Sequence, residues 1–491
     1  MKYSKYKITG IFLAFVVLIA SCKKAGDFGS TNVSPNSATV PLPSALLTDA
    51  IYRTSSALAS SRSFQTNPTL YVQWLMQTQY PDEAQYAMAQ IDWATFYVNP
   101  LEDLQKIIQY NTDEKTKVYA ANSGSNANQI AVARIYKAYL FAMVSDMYGD
   151  IPYTDALQGQ VAASYTPQDS IYKDIIKELT EAIAQFDGGA AVKGDILLNG
   201  SAARWKKFAN SLRMTLSLRL SKVYPGASDY AATEFKKALN DPAGFVDNNS
   251  DNVVYNYLSD DTYRNPWNAQ FDGRADYAPS QTFVDTLMSY DDPRTAVYFT
   301  KNGSGSYSGI PYGLKRDDLL TWENAHPNWS LMGDATKSRT APGQVITAAQ
   351  MKFTRAEAAQ LGWTSENAQT LYNDGIKASW QQWGVYDDAK YAAYISNPLT
   401  AFSSDPIREI NTQKWIALYP NQQFEAWSEW RRTGYPKLIP AVNAVNQSKQ
   451  IPRRYQYPAN EPTLNGINYK AAVSKLSAGD TDNSRVWWDK P

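Results

Sequence analysis

The chain has 491 residues, with 47 Lys and Arg against 47 Asp and Glu, one His and one Cys. Zero net charge argues against a nucleic-acid binder, which needs a basic face, and a single thiol forbids an internal disulfide. A chain of this length must be held by a buried core, and it is long enough to make a large one.

The first element reads as a leader. Lys2, Lys5 and Lys7 precede an apolar run from Ile8 to Ala20, which closes on Ser21 and Cys22. A basic start, a short apolar middle and small residues at the end describe a secretory signal peptide over residues 1–21. The run is shorter than the roughly 20 apolar residues of a spanning helix. Ile19-Ala20-Ser21-Cys22 also fits the bacterial lipobox: aliphatic, small, small, cysteine. Cys22 is therefore expected to carry lipid, because three acyl chains anchor firmly where one holds only marginally. An ordinary signal peptide with an incidental cysteine is the alternative. Removing residues 1–21 takes away three lysines, leaving 44 bases against 47 acids, a net of −3. Residues 22–42, rich in Ser, Asn, Thr, Gly and Pro, read as a flexible tether, and residues 43–491 as one domain.

Helical periods dominate after the tether. Ala133, Tyr136, Leu140, Phe141, Val144 and Met147 step by threes and fours along one face. Gly149 is placed to cap that helix and Pro152 to stop it. Trp205, Phe208, Leu212, Leu216, Leu220 and Val223 form a second stripe, with Lys206, Lys207, Arg213, Arg219 and Lys222 expected on solvated faces. Residues 247–345 change character: Gly, Pro, Asn and Asp alternate with aromatics in long loops, with room for a few short strands. Loops of this length are commonly functional or disordered, and aromatic-rich ones do not look disordered. Helical periods return at FTRAEAAQLGW and LYNDGIKASWQQWGV. Another helix should start at Asp405-Pro406, with proline at the first helical position. Phe424, Trp427 and Trp430 then precede a Gly434/Pro436 stop. The fold class is mostly α.

Catalytic chemistry finds little support. His326 sits in ENAHPNWS and reads as a loop residue, and no Cys/His zinc spacing exists. The stretch 247–258 fails the calcium-loop pattern, since Leu258 stands where the bidentate Glu belongs. The acid pairs Asp260-Asp261, Asp291-Asp292 and Asp317-Asp318 are adjacent and tend to point apart, whereas a glycosidase needs two carboxyls facing across a cleft.

Binding fits better. The chain has 34 Tyr and 14 Trp against 16 Phe, an excess of rings with a polar handle. A sugar offers a C–H face for a ring and hydroxyls for Asn, Asp, Gln or Arg. The loops supply both, in Tyr80, Asp82 and Tyr86, in Tyr263, Trp267 and Asn268, and in Trp322 and Trp329. Some of these are expected to form a ligand platform. Trp205, Trp415, Trp427 and Trp430 lie on helical stripes and are assigned to the core.

Four segments carry a family resemblance. They are Ser145–Tyr153 (SDMYGDIPY), Phe353–Ala359 with Gly362-Trp363 and Tyr372–Gly384, Ile410–Pro436, and the tail from Ile451 to Asp489. With the lipobox they span nearly the whole chain in order. In these the chain resembles the SusD/RagB family of nutrient-binding outer-membrane lipoproteins, and most of all its second, SusD-like subgroup. The resemblance implies a helical fold of four tetratricopeptide-like helix pairs beside a loop-rich face. It implies a partner, a TonB-dependent transporter barrel over which the lipoprotein sits as a lid, and an oligosaccharide or other nutrient as ligand. It implies no cofactor. Lys23-Lys24 departs from the acidic residues that often follow the lipid cysteine in this family, which bears on cell-surface sorting. A peptide ligand, a lipid-anchored glycan hydrolase and a structural surface protein remain the alternatives.

Overall fold

The computed structural model describes residues 41–59, 66–87, 91–160, 162–403 and 405–491. The signal peptide, Cys22 and residues 22–40 of the tether lie outside the described residues. The chain enters through helices α1 (Pro43–Ala59) and α2 (Thr66–Tyr71) and a short strand β1 (Leu75–Gln77). Helix α3 (Glu102–Thr112) then packs on the long α4 (Asn126–Tyr148). Helix α4 starts where the Ser125 side chain accepts from the Asn128 amide, and it ends at Gly149, whose φ of 91° favours a residue without Cβ. Pro152 follows in β2 (Ile151–Pro152), paired with β3 (Tyr165–Thr166).

Helix α5 (Gln168–Gln185) packs on both α4 and α6 (Ala202–Arg219), and α6 packs on α7 (Tyr230–Leu239). The loop region holds β4 (Val253–Tyr255), α8 (Pro266–Gln270), β5 (Tyr277–Pro279), α9 (Gln281–Ser289), α10 (Arg316–Ala325) and β6 (Gly343–Ile346). One antiparallel ladder, β1 with β5, ties it to the rest, and a second, β4 with β6, closes within it.

Helices α11 (Ala348–Gln360) and α12 (Ala368–Gln382) form the tightest pair. Thr347 and Asn367 cap them. At their contact a Cβ on Gly375 would stand 2.7 Å from the Phe353 ring, so the absent side chain sets how closely the helices approach. Helix α13 (Asp388–Ser396) leads to α14 (Pro406–Ala417), where Asp405 accepts from the Arg408 amide with proline first in the helix. Helix α15 (Gln423–Thr433) ends at Gly434, φ 74°. The architecture is the expected one, mostly helical with helix pairs beside a loop-rich region. Trp205, Trp415 and Trp427 are buried in the core, and Trp430 is half-buried against it.

One sequence expectation is corrected. Arg213 and Arg219 were assigned to solvated faces, but both are buried. Arg219 on α6 donates to Asp146 Oδ2 on α4 at 2.6 Å, to Glu425 Oε2 on α15 at 2.6 Å and to Glu429 Oε1 at 3.2 Å. Glu429 also accepts from Lys414 on α14 at 3.0 Å and from Arg432, which pairs in turn with Glu357 on α11. Burial opposes the charge on Glu429, but Arg432, Lys414 and Arg219 overcome it and hold the carboxyl well below its ordinary range. The network bolts five helices together through paired charges rather than apolar contact alone.

Candidate functional site

The β1–β5 ladder positions the site. Gln77 pairs with Tyr277, so the loop after β1 runs beside the loop before β5, and the Thr78 amide donates to the Asp276 carbonyl at 2.7 Å. Gln77 Oε1 accepts from the amides of Gln79 at 2.7 Å and Tyr80 at 3.0 Å. Pro81 then opens a single 3-10 turn, Pro81–Gln85. Tyr80, on this hydrogen-bonded turn, is 41% exposed. The guanidinium of Arg274 lies 5.5 Å from the ring centroid and donates to the Tyr80 hydroxyl at 3.4 Å. Asp276 holds Arg274 with both carboxylate oxygens. Glu83 accepts from the Tyr277 hydroxyl at 2.9 Å.

Beside Tyr80 is an open depression of about 400 Å³, lined by Gln79, Tyr80, Pro81, Asp82, Gln85 and Arg316. Arg316, at the start of α10, donates to the Thr78 carbonyl at 2.6 Å. Asp82 is exposed. An aromatic face thus stands among two guanidinium groups, a carboxylate and amides. That set suits a neutral polyhydroxylated ligand, whose C–H face covers the ring while its hydroxyls bond the rim. Trp322 on α10 and Trp329 in the loop after it, both half-buried against the core, meet at 6.2 Å between centroids, and His326 stacks on Trp322 at 4.7 Å. His326 is exposed at the end of α10, with its Nδ1 2.9 Å from the Trp322 carbonyl.

The other candidates separate. Tyr86 was expected on the platform, but it is buried. Its backbone is left-handed, φ 68°, its hydroxyl accepts from the Ala441 amide at 2.9 Å, and burial pushes that hydroxyl up to about 12. Trp267 is also corrected. It is fully buried and packs edge-on against Tyr277 at 5.9 Å. Asn265 caps its helix by accepting from the Trp267 amide at 2.7 Å, which turns the indole inward beneath the ladder. Asn268 is half-buried and accepts from Arg264 at 3.1 Å. Tyr263 is 47% exposed, but it lines a different cleft that shares no wall residue with the Tyr80 depression. Arg274 and Arg316 were not singled out from sequence. Their partners, Tyr80 and Thr78, lie 194 and 238 residues away; the β1–β5 pairing brings Arg274 beside Tyr80, and α10 brings Arg316 to the Thr78 carbonyl.

Among the described residues, no group of three or more His, Cys, Asp or Glu could hold a metal ion, and no helix is long and apolar enough to cross a membrane.

The profile of a family described as starch-binding associating with outer membrane, SusD-like, matches residues 35–458. No curated protein matches the chain. Among solved structures, a chitin-binding protein is 28% identical with a TM-score of 0.77, over 91% of this chain and 100% of its own. A chitin-binding SusD homologue from Flavobacterium johnsoniae is 26% identical, TM-score 0.76, over 91% of this chain and 98% of its own. A SusD homologue from Bacteroides uniformis shares the fold at 24% identity, TM-score 0.76, over 91% of this chain and 99% of its own. With the helical fold shared with these structures and a profile match over most of its length, the chain belongs to the SusD-like family of outer-membrane nutrient-binding proteins.

Proposed function

We propose that the protein captures an oligosaccharide at the outer membrane and hands it to a TonB-dependent transporter barrel, with no chemistry of its own. The observation that carries this reading is the exposed Tyr80 ring, braced by Arg274 and flanked by Asp82 and Arg316. Trp322, on the helix that carries Arg316, and Trp329, in the loop after it, form a further pair of half-buried rings. Two solved relatives described as chitin-binding support trying chitin fragments first.

In this reading Cys22 carries the lipid that tethers the domain. The transporter is the partner, and the domain closes over its mouth on the cell surface. Incorporation of radiolabelled palmitate into the wild type but not into Cys22→Ala tests the anchor. Co-purification of a large barrel protein from outer-membrane extracts tests the partner.

The binding test is a titration with chitin, starch and cellulose oligosaccharides and with peptides, followed by product analysis of the same samples. Tyr80→Ala is expected to weaken the productive ligand at least about tenfold, the usual cost of removing a central aromatic anchor, without change in fold. Released shorter glycans would refute the reading in favour of a hydrolase.

A further inference from the structure

A second cleft, of about 780 Å³, opens between α1, the loop before α6 and the loop after β4. Its walls include Tyr52, Tyr257 and Tyr263, with Ile196, Leu258 and Asn199 at the rim. The volume is that of a ligand pocket. Both rim loops are tightly built. Asp195 accepts from the amides of Leu197 at 3.0 Å, Leu198 at 2.9 Å and Gly200 at 2.7 Å, and from the Trp205 indole at 2.7 Å. Asn199 is held left-handed, φ 56°, and a Cβ on Gly200 would meet the Val192 carbonyl at 2.5 Å. On the other side, Asp260 accepts from the amides of Thr262 and Tyr263 at 2.9 Å each, and Leu258 donates to the Tyr263 carbonyl at 2.9 Å. The Tyr52 ring meets Tyr263 edge-on at 5.0 Å, and its hydroxyl donates to Thr262 at 3.3 Å.

These rigid loops hold apolar surface out in water. Ile196 is 45%, Leu258 55% and Tyr263 47% exposed. Exposed apolar groups gathered around one cleft mark binding sites more often than chance placement. Among the described wall residues only Asp49 is charged, and it pairs with Arg53 at 2.5 Å, so the lining is otherwise neutral. Tyrosine rings suit the C–H face of a pyranose. The exposed amides of Asn199 and Asn256 suit its hydroxyls. Ile196 and Leu258 offer apolar contact for a methyl group, which among neutral sugars points to an acetamido substituent.

We infer that this cleft is a second saccharide subsite, independent of Tyr80, that prefers N-acetylated amino sugars. The inference rests on the reading of the protein as a glycan-capture protein. The test is calorimetric titration of the purified protein with chitohexaose and with cellohexaose, for wild type, Tyr80→Ala, Tyr263→Ala and Ile196→Ser, with circular dichroism to confirm folding. Chitohexaose is expected to bind wild type in two components. Tyr80→Ala should retain one of them and Tyr263→Ala should remove that one. Ile196→Ser should lower its preference for chitohexaose over cellohexaose at least about threefold, a modest loss for one methyl contact. If Tyr80→Ala abolishes all binding while Tyr263→Ala and Ile196→Ser bind as wild type, the second subsite is wrong and glycan capture stands. If wild type binds neither sugar, the subsite is overturned together with the amino-sugar preference, and binding of another glycan in the wider panel would leave capture itself intact.

Discussion

Replacing Arg219 with Ala tests the buried network. Arg219 is 1% exposed and touches Asp146, Glu425 and Glu429. Without it, Asp146 and Glu425 lose their ion-pair partner, and Glu429 keeps only Lys414 and Arg432. Breaking a buried pair from one side costs about 3–5 kcal/mol, because the remaining charge stays out of water without compensation. The guanidinium also lies 5.3 Å from the Trp488 ring centroid, so packing is lost as well. We expect a loss of about 4 kcal/mol in urea unfolding, a large share of the 5–15 kcal/mol typical of a folded domain. Lys237, whose side chain is 61% exposed and pairs with Glu234, is the control, and its alanine variant should change stability by less than about 1 kcal/mol. A loss at Arg219 no larger than at Lys237 would refute the idea that the network fastens the helices.

Trp267→Ala should destabilise by about 3–5 kcal/mol as a cavity in the core, read by thermal unfolding, and a fully stable variant would contradict the buried placement of the indole. Gly375→Ala should cost about 1–3 kcal/mol, because the new methyl meets the Phe353 ring at 2.7 Å, and an unchanged unfolding midpoint would show that the α11–α12 pair can part freely. Asp103 is pushed up to about 7 by burial and by its hydrogen bond with Asp49. The native state therefore keeps a proton that the unfolded chain releases near pH 4, so stability should fall as pH rises from about 4 to 7. The group is half-exposed, so solvent screening limits the effect to about 1 kcal/mol. Asp103→Asn should flatten that slope, and an identical slope in the variant would rule Asp103 out as its source.

The helices were legible because their signals are local. Gly149 closes the 126–148 helix, Asp405-Pro406 opens α14 and Gly434 closes α15. Arg219 was misread because its carboxylate partners lie 73, 206 and 210 residues away, beyond any helical period. A cation on an amphipathic helix looks solvated until the neighbouring helix is known. Trp267 and Tyr86 failed for a related reason. Both stand among polar loop residues, but the β1–β5 ladder covers the first and a left-handed turn folds the second inward. The exposed turn at Tyr80 was legible, since Gln77 and Pro81 fix it from within a few residues. Arg274 and Arg316 were not, because they lie 194 and 238 residues from the Tyr80 hydroxyl and Thr78 carbonyl they bond.

Titration of the purified protein with a glycan panel, wild type beside Tyr80→Ala, tests the central claim most directly. Tight binding of one glycan class, loss of at least about tenfold in the variant, and no shortened product would bear out capture at the Tyr80 face. Equal binding by both proteins, or turnover by either, would contradict it.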